Sequence, residues 1–549
     1  MLRRPSSFAS PLTVLGLLAA GLAVASGPAV ASPSAAATQE RALRADGAIV
    51  DRDASGHARF VGTRSGQPVQ LASAKSARAS ADGPARAFVA EYRELFGVNG
   101  NELRTLATRE VAPGHRAVRF QQLRGGLPVH GGQLTVVSDA HGEILSSVAN
   151  LSHRPAPTAT GSVTAEQAGA AALADTAEAT GVAASTLTLA AAPSKELYDP
   201  ALLGDSPAAG PAPIAAWVVE VTGKGAGSPI RRYALVDAVR GSVATSYNAI
   251  TEAHLVCDAK NSRFPDPCGK NFVRGPGKEG KSGNTEVDQA WDSTAAVNKS
   301  FASKIKLDLP GLIGHNDDGA GKHLRSSVRV CRWEGACPMI NAFWNGKQMS
   351  YGEGFAAADD VVAHEVSHGI TERTSNLVYK NQSGAINESL SDVFGELIDQ
   401  VDGFGSDGGD RRWQMGEDIP GLGAIRDMSD PTRFKHPDKV TSSLWWKDSG
   451  DNGGVHKNSG VGNKAAFLIT DGGTFNGQTV KGLGADKALW IYWEVEHQLT
   501  SSSQYKDLFN ALPQSCRNLA GKGTGGISAA DCDEVAKAVK ATEMDKSPR

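Results

Sequence analysis

The chain has 549 residues, enough for several domains. Hydrophobic residues make up 40% and charged residues 21%, an ordinary globular balance. The formal net charge of −3 gives no reason to expect nucleic acid or an anionic membrane as a partner.

Residues 1–31 read as a secretory signal. Arg3 and Arg4 form a basic start, Leu12 to Ala25 a short apolar core, and Ala29-Val-Ala31 a small-residue cleavage site before Ser32. The apolar run is short for a membrane anchor and carries Gly16 and Gly21. No later stretch is apolar enough to span a bilayer, so a secreted, extracellular product with no membrane attachment is expected. Six cysteines agree with an oxidising destination, and all follow residue 256. Pairing neighbours closes short loops: Cys257–Cys268, Cys331–Cys337 and Cys516–Cys532. Free thiols or a structural metal site are the alternatives, and no CxxC spacing supports the latter.

Residues 32–250 read as a separate unit with Ala-, Ser- and Pro-rich linkers at 32–45, 155–160 and 203–216. Its first folded stretch, about 50–150, has an amphipathic helix over Phe88–Phe96 and strands over Arg116–Phe120, Leu134–Ser138 and Ile144–Val148. Its second, about 160–248, opens with the capping box Thr164-Ala-Glu-Gln167 before an Ala-rich helix. Trp217–Val221 and Arg232–Val236 then read as a hairpin. Residues 251–358 show short β-type runs and Gly/Asn/Asp turns, of which Asn316-Asp-Asp-Gly319 is one. Residues 359–549 are mostly helical by period, as over Asn463–Thr470, Ala485–Leu499, Gln504–Leu519 and Ala529–Thr542.

The chemistry concentrates at His364-Glu365-Val366-Ser367-His368. Two histidines four apart stack on one helix face and can grip one metal ion, with Glu365 beside the open position. Val361, Val362, Ala363 and Val366 supply an apolar face. A catalytic zinc needs three protein ligands. In the next helical pattern, Ile386, Leu390, Val393, Phe394 and Leu397 leave Glu388 and Asp392 on another face. Glu388 is the expected third ligand. Asp392 is the expected acceptor for a ligand histidine's second ring N–H.

HExxH followed by Asn387-Glu-Ser-Leu-Ser-Asp392 resembles the thermolysin family of zinc metalloendopeptidases. The likeness extends to Asn341-Ala-Phe-Trp-Asn-Gly346, Ala424-Ile-Arg-Asp-Met-Ser-Asp-Pro431 and Asp451-Asn-Gly-Gly-Val-His456. It covers roughly residues 255–545. It implies an α+β fold: a two-lobe catalytic domain with a β-rich N-terminal lobe, a central HExxH helix and an α-helical C-terminal lobe, preceded by an α+β propeptide. The segment Arg119–Leu134 resembles the family's first pro-domain, and the hairpin with Val236-Asp-Ala238 resembles the second. Such a propeptide acts as chaperone and inhibitor of its own enzyme, with processing expected near Ser246–Leu255.

The resemblance implies one catalytic Zn2+ on His364, His368 and Glu388, with Glu365 as general base. Tyr379 and His456 would stabilise the oxyanion, and Asp451 would keep His456 cationic. Asn341 and Ala342 would pair with an extended protein or peptide substrate, and Arg426 would hold the carbonyl after the scissile bond. Val361 and Ile425 would line a pocket for a hydrophobic residue after that bond. Asp360, Asp399 and Glu417 match ligands of a structural Ca2+. Arg412 and Gln414 replace two acidic ones, so one calcium at most is expected, with an arginine in place of the second. The Asp402–Asp410 loop reads as a flexible turn. The segment between Asn341 and His364 is shorter than the family's, which weakens the pocket expectation. The mature form is expected to be a monomer. A zinc aminopeptidase or a non-catalytic zinc-binding protein are the competing readings. The first lacks a group for a free α-amine, and the second would have lost Glu365 or a ligand.

Overall fold

A computed structural model describes residues 34–548 apart from 64–67, 70–79, 100, 158–160, 206–210, 225–228, 249–255, 264–271, 276–277, 279, 315–322, 332–336 and 403–407. The signal segment, most of the processing region, Cys268, the 316–319 turn and the middle of the 402–410 loop therefore lie outside the described residues.

The first half is built on an 11-stranded sheet. Leu127–Ser138 is its hinge, pairing with His115–Arg124 on one side and Ile144–Asn150 on the other. Val129 opposite Leu197 joins the first folded stretch of this half to the second stretch, where Ile214–Lys224 and Pro229–Asp237 form the expected hairpin. The Thr164 capping box is present and starts the helix Ala165–Thr180. The helix expected over Phe88–Phe96 instead begins at Gly83, where Pro84 suits the first turn, and breaks at Tyr92. The break lets Phe96 pack edge-on against Phe88, with ring centroids 5.6 Å apart. Separate apolar clusters form around Phe88/Phe120/Val136 and around Ala168/Val219/Val236.

The following region has a 4-stranded sheet in the order Val256–Arg263, Ser326–Cys331, Met349–Tyr351, Ala342–Trp344. Ala342–Trp344 is an edge strand of that sheet. Beside it runs a helix, Thr285–Ile305, that the turn-rich composition concealed. Asn284 caps it by accepting from the Glu286 and Val287 amides. The helices Asp359–Arg373, Asn381–Asp402, Gly460–Thr470, Ala485–Gln498, Tyr505–Ala520 and Ala529–Ala541 make up the rest of the core. Cys331–Cys337 and Cys516–Cys532 are bonded as expected, the latter tying the last two helices together. Cys257 is also disulfide-bonded.

The first half docks on the helices through charged and polar groups. Arg119, 7% exposed, donates from Nη1 to the Ser375 carbonyl (2.6 Å) and from Nη2 to the Leu499 carbonyl (2.8 Å). Arg59 pairs with Asp507, Asn150 Nδ2 donates to Thr500 Oγ1, and Arg231 reaches Glu372. Nothing in the periodicity marks these side chains, because each is a polar residue on an ordinary strand until its partner surface arrives. Arg119→Ala should lower the melting temperature of the full chain, with about 1–3 kcal/mol lost for each carbonyl left dry.

Candidate active site

Asp359–Arg373 is buried along nearly its whole length, from Asp359 through Thr371. It is enclosed on all sides, not on the single apolar face expected. The helix Asn381–Asp402 crosses it closely at Gly395, where a Cβ would sit 2.8 Å from the Asp360 carbonyl oxygen. That approach brings Glu388 to the two histidines. Glu388 oxygens lie 3.8 Å from His364 Nε2 and 3.4 Å from His368 Nε2.

The donor set fits a cation. His368 Nδ1 is hydrogen-bonded to Asn387 Oδ1 at 2.7 Å, His364 Nδ1 lies within ion-pair distance of Asp392 Oδ1 at 2.7 Å, and the two Nε2 atoms face each other at 3.1 Å. With both nitrogens in the acceptor form, a positive ion between them removes the repulsion of their lone pairs. Among the described residues, buried Glu388 Oε2 has no hydrogen-bond partner, which is costly for a carboxylate unless a cation takes it. These three side chains keep their ligand atoms within 4.8 Å of one another. Imidazole, imidazole and carboxylate are a zinc donor set.

Asp392 takes the expected position, and its partners extend further than expected. Burial would raise its pKa, but Arg426 and His364 hold it well below the usual carboxylate range. Arg426 Nη2 is 2.6 Å from Asp392 Oδ1, so its ion pair is with Asp392. Asn463 Nδ2 donates to the other oxygen at 2.7 Å. Asn387 was missed as a partner of His368. Its place directly before the ligand Glu388, one helical turn from Ser391, was the available clue. Asn387→Ala should weaken zinc binding by about 10–100-fold, measured by competition with a chromogenic chelator.

Glu365 is buried and lines the same cleft as His364 and His368. Tyr379 Oη contacts Glu388 and lies 3.1 Å from His456 Nε2. His456 Nδ1 is 2.5 Å from Asp451 Oδ1. The His456 side chain is 48% exposed, and Glu388 and Asp451 raise its pKa to about 9. With Glu388 committed to a cation, Asp451 remains to favour the imidazolium. His456 follows four left-handed residues, Asp451, Asn452, Gly453 and Gly454, at φ 55, 49, 88 and 79°. A Cβ on Gly453 would meet Asn381 Oδ1 at 2.2 Å, so only glycine lets this turn bring His456 to the cleft. Asn341, Ala342, Phe343, Phe355, Val361, Met415, Ile425 and Arg426 line the remaining walls.

Asp360, Asp399 and Glu417 belong to a wider acidic region with Asp359, Glu396 and Asp402. Their ligand atoms do not converge as closely as the zinc set's. Burial raises the Asp360 and Glu417 pKa values above the carboxylate range and lifts Glu396 to about 8. Arg412 Nη2 binds Asp471 and Gln400, each at 2.7 Å, and its charge also acts to lower the pKa of Glu396 in the acidic region. Gln414 Nε2 donates to the Asp410 carbonyl.

An HExxH helix with a glutamate ligand from the next helix, set in a cleft beside a sheet edge, defines a zinc-type metallopeptidase. Residues 230–372 match the thermolysin metallopeptidase catalytic domain, and residues 375–543 the thermolysin metallopeptidase alpha-helical domain. Residues 101–149 match the fungalysin/thermolysin propeptide motif. The chain is 34% identical to a zinc metalloproteinase of Renibacterium salmoninarum, over 95% of this chain and 98% of that one. It is 31% identical to the thermostable neutral protease NprT of Geobacillus stearothermophilus, over 74% and 80% of the two chains. It is 37% identical to thermolysin of Alicyclobacillus acidocaldarius, over 46% of each. Among solved structures, the precursor of protealysin from Serratia proteamaculans matches 53% of this chain and 87% of its own, at 26% identity and a TM-score of 0.40. The chain belongs to the thermolysin family and is a metalloendopeptidase that carries the family's propeptide motif.

Proposed function

We propose that this chain is a secreted zymogen whose mature part cuts proteins on the amino side of hydrophobic residues, with Glu365 as general base. Residues 1–31 would direct export, 32–250 would be the propeptide, and 251–358 with 359–549 the two catalytic lobes. The observation that carries the reading is the meeting of Glu365, Tyr379 and His456 with the His364/His368/Glu388 set in one cleft. The docking of Arg119 and Arg59 on the helices supports a propeptide that assists folding and inhibits its own enzyme.

Zinc, when bound to the three ligands, acidifies water and polarises a peptide carbonyl. Glu365 takes the proton of the attacking water and passes it to the leaving amine. Tyr379 Oη and His456 Nε2 donate to the oxygen that gains charge, with Asp451 fixing the imidazole. Arg426 holds the next carbonyl while Asp392 fixes its guanidinium. Asn341 and the Ala342 edge pair with an extended backbone. Val361, Ile425, Met415 and Phe355 make the pocket apolar. Digestion of an amino-blocked peptide library, read by mass spectrometry, should show cuts before Leu, Ile, Val or Phe. Cuts only next to a free α-amine, or before charged residues, would overturn the specificity.

One structural calcium at Asp360, Asp399 and Glu417 would relieve the clustered charge. Without it, raised carboxylate pKa values mean the folded chain keeps protons that the unfolded chain loses. For Glu396, stability is full below the ordinary value of 4.5 and declines as pH rises toward about 8. Calcium should therefore raise the melting temperature more at pH 8 than at pH 5, with zinc held constant. An equal increment at both would refute the site.

A further inference from the structure

We propose that Asp53, His57 and His153 form a second site for a divalent transition metal of the zinc class, in the part of the chain that precedes the peptidase. Their ligand atoms lie within 4.8 Å of one another, as the catalytic set's do. The site joins the turn after the strand Ala48–Arg52 to the segment that follows Ile144–Asn150.

The surrounding hydrogen bonds prepare these groups as ligands. Asp53 Oδ1 accepts from the Ser55 amide (2.9 Å), the Ser55 hydroxyl (2.7 Å) and the His57 amide (3.0 Å). That leaves Oδ2 turned to His153, 3.4 Å from its Nε2. Ser55 spends its proton on Asp53, so its oxygen accepts from His57 Nδ1, 2.9 Å away. The serine thereby holds His57 in the tautomer whose Nε2 carries a lone pair, the role an outer hydrogen-bond partner plays at metal sites. Gly97, at φ +62°, closes the site from the other side. A Cβ there would lie 2.6 Å from His57 Nε2 and 2.9 Å from His153 Nδ1. The two rings, 3.9 Å apart between centroids, are thus packed where a side chain at residue 97 would separate them. Two imidazoles and one carboxylate suit zinc, with water completing the tetrahedron. The consequence is local: Arg59, which pairs with Asp507, follows His57 closely in the chain. A metal here would clamp the surface that docks on the helices.

The test counts metal in the E365Q precursor, which keeps all three catalytic ligands, in excess calcium. Zinc titration calorimetry and elemental analysis should give two zinc ions per chain. H57A or H153A should reduce this to one, and adding E388A to the parent should leave one zinc that H57A then removes. S55A, which spares the ligands, should weaken the second equivalent by about 10–100-fold. Circular dichroism checks that each variant folds. A parent that stops at one zinc, or a second equivalent that survives replacement of both histidines, would overturn the proposal and leave an Asp53–His153 ion pair.

Discussion

Glu365→Gln is expected to leave zinc bound and to lower proteolysis by about 10²–10⁴-fold or more. Glu365 sits among the residues lining the cleft but is not one of the three that converge on a metal. Glutamine keeps its size and its place on the helix and removes only the ability to take a proton. Zinc content by elemental analysis should therefore equal that of the unsubstituted enzyme, while hydrolysis of an amino-blocked peptide collapses. Both should be read on protein freed of its first half by an added protease, so that failed processing is not mistaken for failed chemistry. Full activity in this variant would defeat the assigned base.

Glu388→Ala is expected to remove both the catalytic zinc and the activity. Its carboxylate is 1% exposed and lies between His368, His364 and His456, which outweigh burial and bring its pKa down to about 2. Removing it leaves two imidazoles with facing lone pairs and no anion to balance an ion. One of them should then take a proton, which ends its use as a ligand. Equilibrium dialysis against buffered zinc should show loss of the catalytic equivalent, and added zinc should not restore hydrolysis. A variant that keeps tightly bound catalytic zinc would refute Glu388 as the third ligand. The contrast with Asn387→Ala is informative, since that change leaves the ligands and alters only the hold on His368.

The zinc set was legible because its logic is local. A four-residue helical spacing places two imidazoles together, and the next helix's apolar period leaves Glu388 and Asp392 on another face. The His456 turn was legible as a motif, but its four left-handed residues were not, since φ is chosen by what the glycines must avoid. The helix Thr285–Ile305 was missed because its flanking Gly- and Asn-rich turns outweighed its period. The Arg412–Asp471 pair left no trace in the sequence because its partner lies far along the chain.

The order of the residues by itself determined the metal-ligand types on adjacent helices and the cysteine pairs Cys331–Cys337 and Cys516–Cys532, which close short loops. Those features depend on neighbours a few positions apart, or on helix periods that any chain of this pattern must obey. Only the tertiary structure decided that Asp392 serves His364 while Asn387 serves His368, that Arg426 pairs with Asp392, and that Arg119 is buried against two carbonyls. Each of these is a charge or hydrogen bond between distant segments. Its partner is set by the packing of helices and sheets, which leaves no period in the sequence.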